Sequence, residues 1–222
     1  DIVTKSGINE MAYQQEPDSI LWCVRDDGEF VGLTYQRSEN VVAWHRHKLG
    51  GTFGTGAGAT GFGVVESVAS ISGELTEDEL YVIVKRTING ATKRYVEVFA
   101  PFDFDETSST DFRFLDSHLT YSGSATTTLS GLSHLEGQVV SILADGATHA
   151  DKTVSSGSIT LDRSVTSAVV GLKYDSVLQT MRVEGGAAQG TSQGKVKRIS
   201  KVVLRLFETV GAKVGPSLTE LE

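Results

Sequence analysis

Between residues 20 and 48, apolar and polar side chains fall into three short β-type runs, 21–25, 30–36 and 41–47. The breaks between them are Asp26-Asp27-Gly28 and Arg37-Ser38-Glu39-Asn40, residue types that tolerate or supply the positive φ of tight turns. Such β-type runs joined by tight turns predict an antiparallel up-and-down meander. Three further runs follow at 64–72, 80–87 and 92–99. The last two are separated by Ile88-Asn89-Gly90-Ala91, and Asn-Gly between β-rich runs is among the strongest short-range hairpin signals.

About six strands in the first hundred residues fit either one propeller blade with part of another, or a small open sheet. Residues 101–116, PFDFDETSSTDFRFLD, change character, with five acids, four phenylalanines and no aliphatic alternation before Leu115. They read as an acidic, aromatic connector held to a sheet by Phe102, Phe104, Phe112 and Phe114, with a domain boundary here. Strand-and-turn grammar resumes over 117–184, with runs at 126–129, 138–144, 158–162 and 168–172 and turns at Ala144-Asp145-Gly146 and Ser155-Ser156-Gly157. In the first of its hairpins Val140, Ile142 and Ala144 share one face, and Val139, Ser141 and Leu143 the other. A small β-barrel or sandwich is expected there.

The last region, 185–222, opens with a flexible glycine-rich loop, GGAAQGTSQG. Over 195–207 two patterns compete. Val196, Ile199, Val203, Leu206 and Val210 sit at helical spacing with Gly211 as a C-cap, whereas the β-branched content and the preceding loop favour a strand. We expect a strand.

Composition supports an all-β class: 24 glycines, 3 prolines and abundant Thr, Ser and Val suit short strands and turns. At 222 residues and 39% hydrophobic content, the chain is long enough for one large β domain or two ordinary ones. The net charge of −8 argues against a sequence-independent nucleic-acid binder, because that affinity comes from Lys and Arg neutralising phosphates. It is compatible with a channel that DNA only passes through. The single cysteine, Cys23, rules out an intrachain disulfide or a multi-cysteine metal site and is expected to pack as a small hydrophobe. With no apolar run of about 20 residues and no basic-then-apolar leader, the chain is expected to be soluble and unexported. Its opening in polar sequence without Met suggests processing or a longer parent.

Candidate chemistry is sparse. Gly56, Gly58 and Gly61 have dinucleotide-fingerprint spacing, but such a motif needs a helix after it, and VVESVASIS reads as a strand. The surrounding loop, 50–63, is expected to be mobile, with Phe53 and Phe62 available to a neighbouring subunit. His45 and His47 project from one face of a strand and share the meander with Cys23. A zinc ion would suit three such ligands, but no carboxylate accompanies them, so surface or packing roles are expected. His118, His134 and His149 are scattered singly in loops and expected to be solvated. The acids Asp103, Asp105, Glu106 and Asp111 lack the ordered spacing of a calcium loop. No G-x-S-x-G elbow surrounds Ser158, and none of the 28 acids forms a distinguishable catalytic pair. No catalytic residue, metal or cofactor is therefore assigned, and enzymatic activity is not expected. The one concentrated positive feature is Lys195, Lys197, Arg198, Lys201 and Arg205. As a strand it would place Arg198 opposite the other four. These residues are candidates for contact with a channel or with neighbouring subunits.

LWCVRDDGEFVGLTYQRSENVVAWHRH and ELYVIVKRTINGATKRYVEVF resemble the last part of the propeller-like region of phage tail proteins of the tubular, nozzle type. LTYSG, LSGLSHLEGQVVSILADG, VGLKYDSVLQT and QGKVKRISKVVLRLFETVGAKVGP are similar to the segment that follows in that family, so the resemblance runs in order from about 18 to 216. It implies a hairpin that closes the chain, and a virion structural protein located in the tail and assembled in the host cytoplasm. It also implies a homo-oligomeric ring around the DNA exit channel that meets other tail or head-connector proteins. DNA would pass without sequence-specific binding, with no membrane and no small-molecule ligand involved. Against this stands a binding module of another class, recognising host glycans through Trp22, Trp44, Tyr35 and Tyr81. A polysaccharide-cleaving enzyme is the third alternative.

Overall fold

The opening meander forms as its turns dictate. In the computed structural model, which describes residues 3–73, 77–100, 112–181, 194, 196–206, 209 and 211–222, strands β1 (Ile8–Gln14), β2 (Ile20–Arg25), β3 (Phe30–Gln36) and β4 (Val41–His47) pair antiparallel in chain order. The β2–β3 turn depends on Gly28, whose φ is 80° and where an added Cβ would lie 2.4 Å from Val64 Cγ1. A three-stranded sheet follows, in the order β5 (Val64–Ser72), β6 (Asp78–Ile88) and β7 (Ala91–Val98). Asn89 and Gly90, at φ 48° and 73°, make the two-residue turn that joins β6 to β7.

These two sheets bury one face each against the other. Trp22, Val24 and Phe30 from the first and Leu80, Val82 and Val84 from the second belong to a single buried cluster. Alternation along β6 is strict: Leu80, Val82, Val84, Arg86 and Ile88 are buried. The sheets are also tied through the backbone, Val65 N–H donating to Gly28 O at 3.0 Å and Asp78 N–H to Glu16 O at 3.1 Å. The Asp78 carboxylate accepts in return from Gln15 and Glu16 amides at 2.7 and 3.2 Å, and these bonds hold its pKa below the usual aspartate value.

A second core lies under the third sheet, ordered β10 (Ala147–Thr153), β9 (Val139–Ala144), β11 (Ser158–Leu172) and β8 (Asp116–Ser130). The expected faces of β9 form, with Val140, Ile142 and Ala144 buried. A short helical turn, Ser133–Leu135, brings Leu132 and Leu135 over this sheet, and both are essentially fully buried. Burying each is worth roughly 1.5–3 kcal/mol. The runs at 158–162 and 168–172 are one continuous strand, β11, bent where its register with β8 shifts after Thr160.

The fold is all-β: among the described residues strands make up 53% and helical turns 5%, and the three sheets are antiparallel. The chain divides into two compact units, Asp1–Asp175 and Ser176–Glu222. The first holds all eleven strands found among the described residues. In the second, the strand expected over 195–207 is not formed, since residues 196–206 carry neither strand nor helix. A strand needs a neighbour for its amides and cover for its side chains. Val196 and Val203 are instead 102% and 76% exposed. The closing hairpin reduces to one residue pair, Val214 and Glu222, which exchange backbone hydrogen bonds of 3.1 and 3.0 Å. Residues 101–111 of the expected connector and 185–193 of the glycine-rich loop lie outside the described residues.

Candidate functional site

Of the five basic candidates, Lys195 lies outside the described residues, and Lys197, Arg198, Lys201 and Arg205 are all exposed in the second unit. Without a strand, the expected separation of Arg198 from the others has no backbone to enforce it. Val202, Leu204 and Leu206, between and beside these cations, are exposed at 56%, 53% and 58%. The segment therefore presents mixed apolar and cationic side chains, with no acidic residue between 196 and 206.

Register places His45 opposite Gly32 and His47 opposite Phe30, on the inner face of the first sheet, whereas Cys23 alternates to the outer face. The two histidines and Cys23 are thus split across the sheet. The two imidazoles bond to each other, His45 Nδ1 to His47 Nε2 at 2.6 Å, and Thr34 Oγ1 lies 3.0 Å from His45 Nε2. Trp22 packs beside both rings, with centroids 5.5 and 5.0 Å away, and is stacked on Phe30. Burial, reinforced by the neighbouring His45, lowers the His47 pKa to about 4, and burial lowers that of His45 as well. The pair is neutral at physiological pH and acts as packing. Burial also raises the Cys23 thiol pKa, which keeps it protonated. No group of three metal-ligating side chains occurs among the described residues.

The glycine-rich loop is held closed by Thr60. Its amide donates to Phe53 O at 2.8 Å, and its hydroxyl accepts from Phe53 N–H at 2.9 Å. Lys85 Nζ sits 4.3 Å above the Phe53 ring, so this ring is engaged by its own chain. The residues after Gly61 enter β5, and the dinucleotide reading accordingly lacks its helix. His118 and His149 lie within strands, and His134 in the helical turn. None is simply solvated: Nδ1 of His118 lies 3.0 Å from Leu115 O, His134 Nε2 3.0 Å from Ser117 O, and His149 Nε2 accepts from the Asp162 amide at 3.0 Å.

One ionic cluster was not anticipated. Arg86, 0% exposed, donates from Nε to Gly50 O at 2.7 Å and engages Glu97 in a fork, Nη1 to Oε1 and Nη2 to Oε2, the latter at 3.1 Å. Gly50 N–H in turn donates to the Asp116 carboxylate at 2.6 Å, where β8 begins. Burial raises the Asp116 pKa, opposed by the Gly50 hydrogen bond and by the Arg86 charge. Added Cβ atoms at Gly50 and Gly51 would meet Leu172 at 2.8 and 3.1 Å, so these glycines admit close approach of β11. The cluster joins the β5–β7 sheet to the β8–β11 sheet. Its sequence signal was the inward register of Arg86, two residues beyond Val84.

No protein-family model matches the chain, and no curated protein is significantly similar to it. The concave surface adds little chemistry. A shallow depression of about 550 Å³ is lined by Arg25, Asp27, Thr60, Glu66 and Lys85 among others. The charges of Arg25, Asp27, Glu66 and Lys85 there are already paired. Arg25 bonds Asp27 at 2.6 Å and Glu29 at 2.5 Å, and Glu66 accepts from Arg94 and Lys85, which lowers its pKa to about 2.

Within the first unit, two sheet faces carry grouped exposed apolar side chains. On the outside of β1–β4, Met11, Tyr13, Tyr35, Val42 and Trp44 are 42–62% exposed, around Cys23 and Val31, which are covered. On the outside of β5–β7, Ile83, Val96 and Val98 are exposed at 36%, 71% and 52%. Isolated surface apolar residues are ordinary, whereas grouped ones on a sheet face mark interaction sites.

Proposed function

We propose that this chain is a structural component of a phage tail, of the nozzle or tubular type, contributing part of a ring around the DNA exit channel. The observation that carries the reading is the pair of apolar outer faces on a two-sheet stack. A blade in a propeller-like array is covered on both sides by neighbouring sheets, and these two sheets have the apolar surface for it. The sheets are accordingly read as consecutive propeller-like blades, and the β8–β11 region as a small sandwich. The ordered sequence resemblance supplies the tail context.

The net charge of −8 suits a wall past which DNA moves without being held. The ion pairs lining the depression suit a scaffold with no small-molecule ligand and no catalytic step. Lys195, Lys197, Arg198, Lys201 and Arg205 are the residues proposed to meet the channel or a neighbouring subunit. Gradient-purified virions, labelled with gold-conjugated antibody against this chain, test the location. Label at the tail is expected, and particles without label at the tail would refute it.

A glycan-binding module is the second reading, favoured by Tyr13, Tyr35 and Trp44 on one face. Trp22 does not serve it, being 5% exposed and stacked in the core. Specific signal on a glycan array, lost in Trp44→Ala, would favour this reading.

A further inference from the structure

We infer that the outer face of β1–β4 and the outer face of β5–β7 are the two unlike halves of one self-association contact, the first face of one copy packing on the second face of the next. This deepens the assembly proposed above and rests on it for the closure into a ring.

The register defines both faces. Met11, Cys23, Val31 and Arg46 form one cross-strand row on the first sheet, and Tyr13, Leu21, Leu33 and Trp44 the next. Tyr35 pairs with Val42 beyond them. On the second sheet Tyr81 pairs with Val98 and Ile83 with Val96. The opposite faces of both sheets are already buried in their common core, so the two apolar faces lie on opposite sides of the stack.

The faces differ in kind. One is built of aromatic rings and a methionine, the other of β-branched side chains flanked by the Lys85–Glu66–Arg94 ion triad. A contact between unlike faces is heterologous, and it propagates from copy to copy until rotation closes it. Three half-exposed aromatics at roughly 200 Å² each give about 300 Å², and Met11 and Val42 raise that face to roughly 500 Å². The three aliphatic side chains opposite add roughly 200 Å². At an apolar share of about 60%, such faces correspond to an interface of about 1,200 Å², the lower end of the specific range. The occupant this fits is a second copy of the chain, held weakly.

Sedimentation velocity of the full chain at roughly 100 µM, the concentration such a small interface calls for, tests this with Tyr35→Asp and Val96→Asp. Both positions are exposed, at 48% and 71%, and a urea midpoint matching wild type certifies each fold. Tyr35→Ala and Val96→Ala replace any variant that fails this check, with about tenfold weaker association expected. Wild type should self-associate with concentration, each aspartate variant alone should be monomeric, and an equimolar mixture should form a one-to-one dimer and nothing larger. A monomeric wild type, either variant assembling alone, or a mixture that stays monomeric would overturn the contact. Since antibody labelling of virions reads location independently of this contact, the two can fail separately.

Discussion

Replacing Arg86 by Met removes a guanidinium that is 0% exposed and leaves its partners in place. Glu97, whose side chain is 18% exposed, loses both bonds of its fork, and Gly50 O loses its 2.7 Å donor. Breaking a buried ion pair from one side costs about 3–5 kcal/mol, and a buried carbonyl without a donor about 1–3 kcal/mol. These costs overlap, since both arise from one lost side chain, and a net loss of about 4 kcal/mol is expected. At about 2–4 °C per kcal/mol for a unit of this size, the melting temperature should fall by about 10 °C. Urea titrations followed by tryptophan fluorescence, which reads Trp22 in the adjoining core, measure the loss. The double variant Arg86→Met/Glu97→Met removes the orphaned charge as well, and should recover at least about 2 kcal/mol of it. A loss below about 1 kcal/mol for the single variant, or a double variant as unstable as the single, would refute the role given to this ion pair.

The His47 pKa, held at about 4 against 6.5, corresponds to about 3 kcal/mol as an upper bound. Because the folded pKa is depressed, that stability is complete above pH 6.5 and lost as pH falls through about 4; His47→Gln should flatten the urea midpoint across this window. Gly28→Ala forces a side chain into a φ of 80° and onto Val64. A loss of about 2 kcal/mol or more is expected by the same titration. Leu135→Ala opens a cavity in the second core and should cost about 2–5 kcal/mol. Leu178→Ala, at a position 92% exposed, is the control. It should leave stability within about 0.5 kcal/mol of wild type.

The sequence patterns that succeeded were those in which β-rich runs are bounded by turn chemistry. The strands at Phe30–Gln36, Val41–His47 and Val64–Ser72 appear with the expected limits, and Asn89-Gly90 turns the expected hairpin. β1 escaped because INEMAYQ holds one β-branched residue; its pairing to β2 comes from the tertiary context, with Ala12 against the shared core. β11 read as two runs because Asp162-Arg163-Ser164 interrupts the apolar pattern. Arg163 there donates to Ala144 O at 2.5 Å, and the strand continues past it. β8 is underestimated for a similar reason: its fifteen residues are rich in Ser and Thr, and most are exposed. Over the described residues 196–206 intrinsic β propensity misled, because propensity describes how a side chain fits a half-buried sheet and these residues join none. Among candidate groups, the His45–His47 pairing followed from spacing. Arg86, Glu97, Gly50 and Asp116 are distant in sequence, and only folding shows that they meet.

Cryo-electron microscopy of intact tails tests the central claim most directly. The account predicts density for this chain in a closed ring lining the DNA path, with its sheets stacked face to face around that ring. Density confined to the capsid shell or to a peripheral fibre, away from the channel, would contradict it.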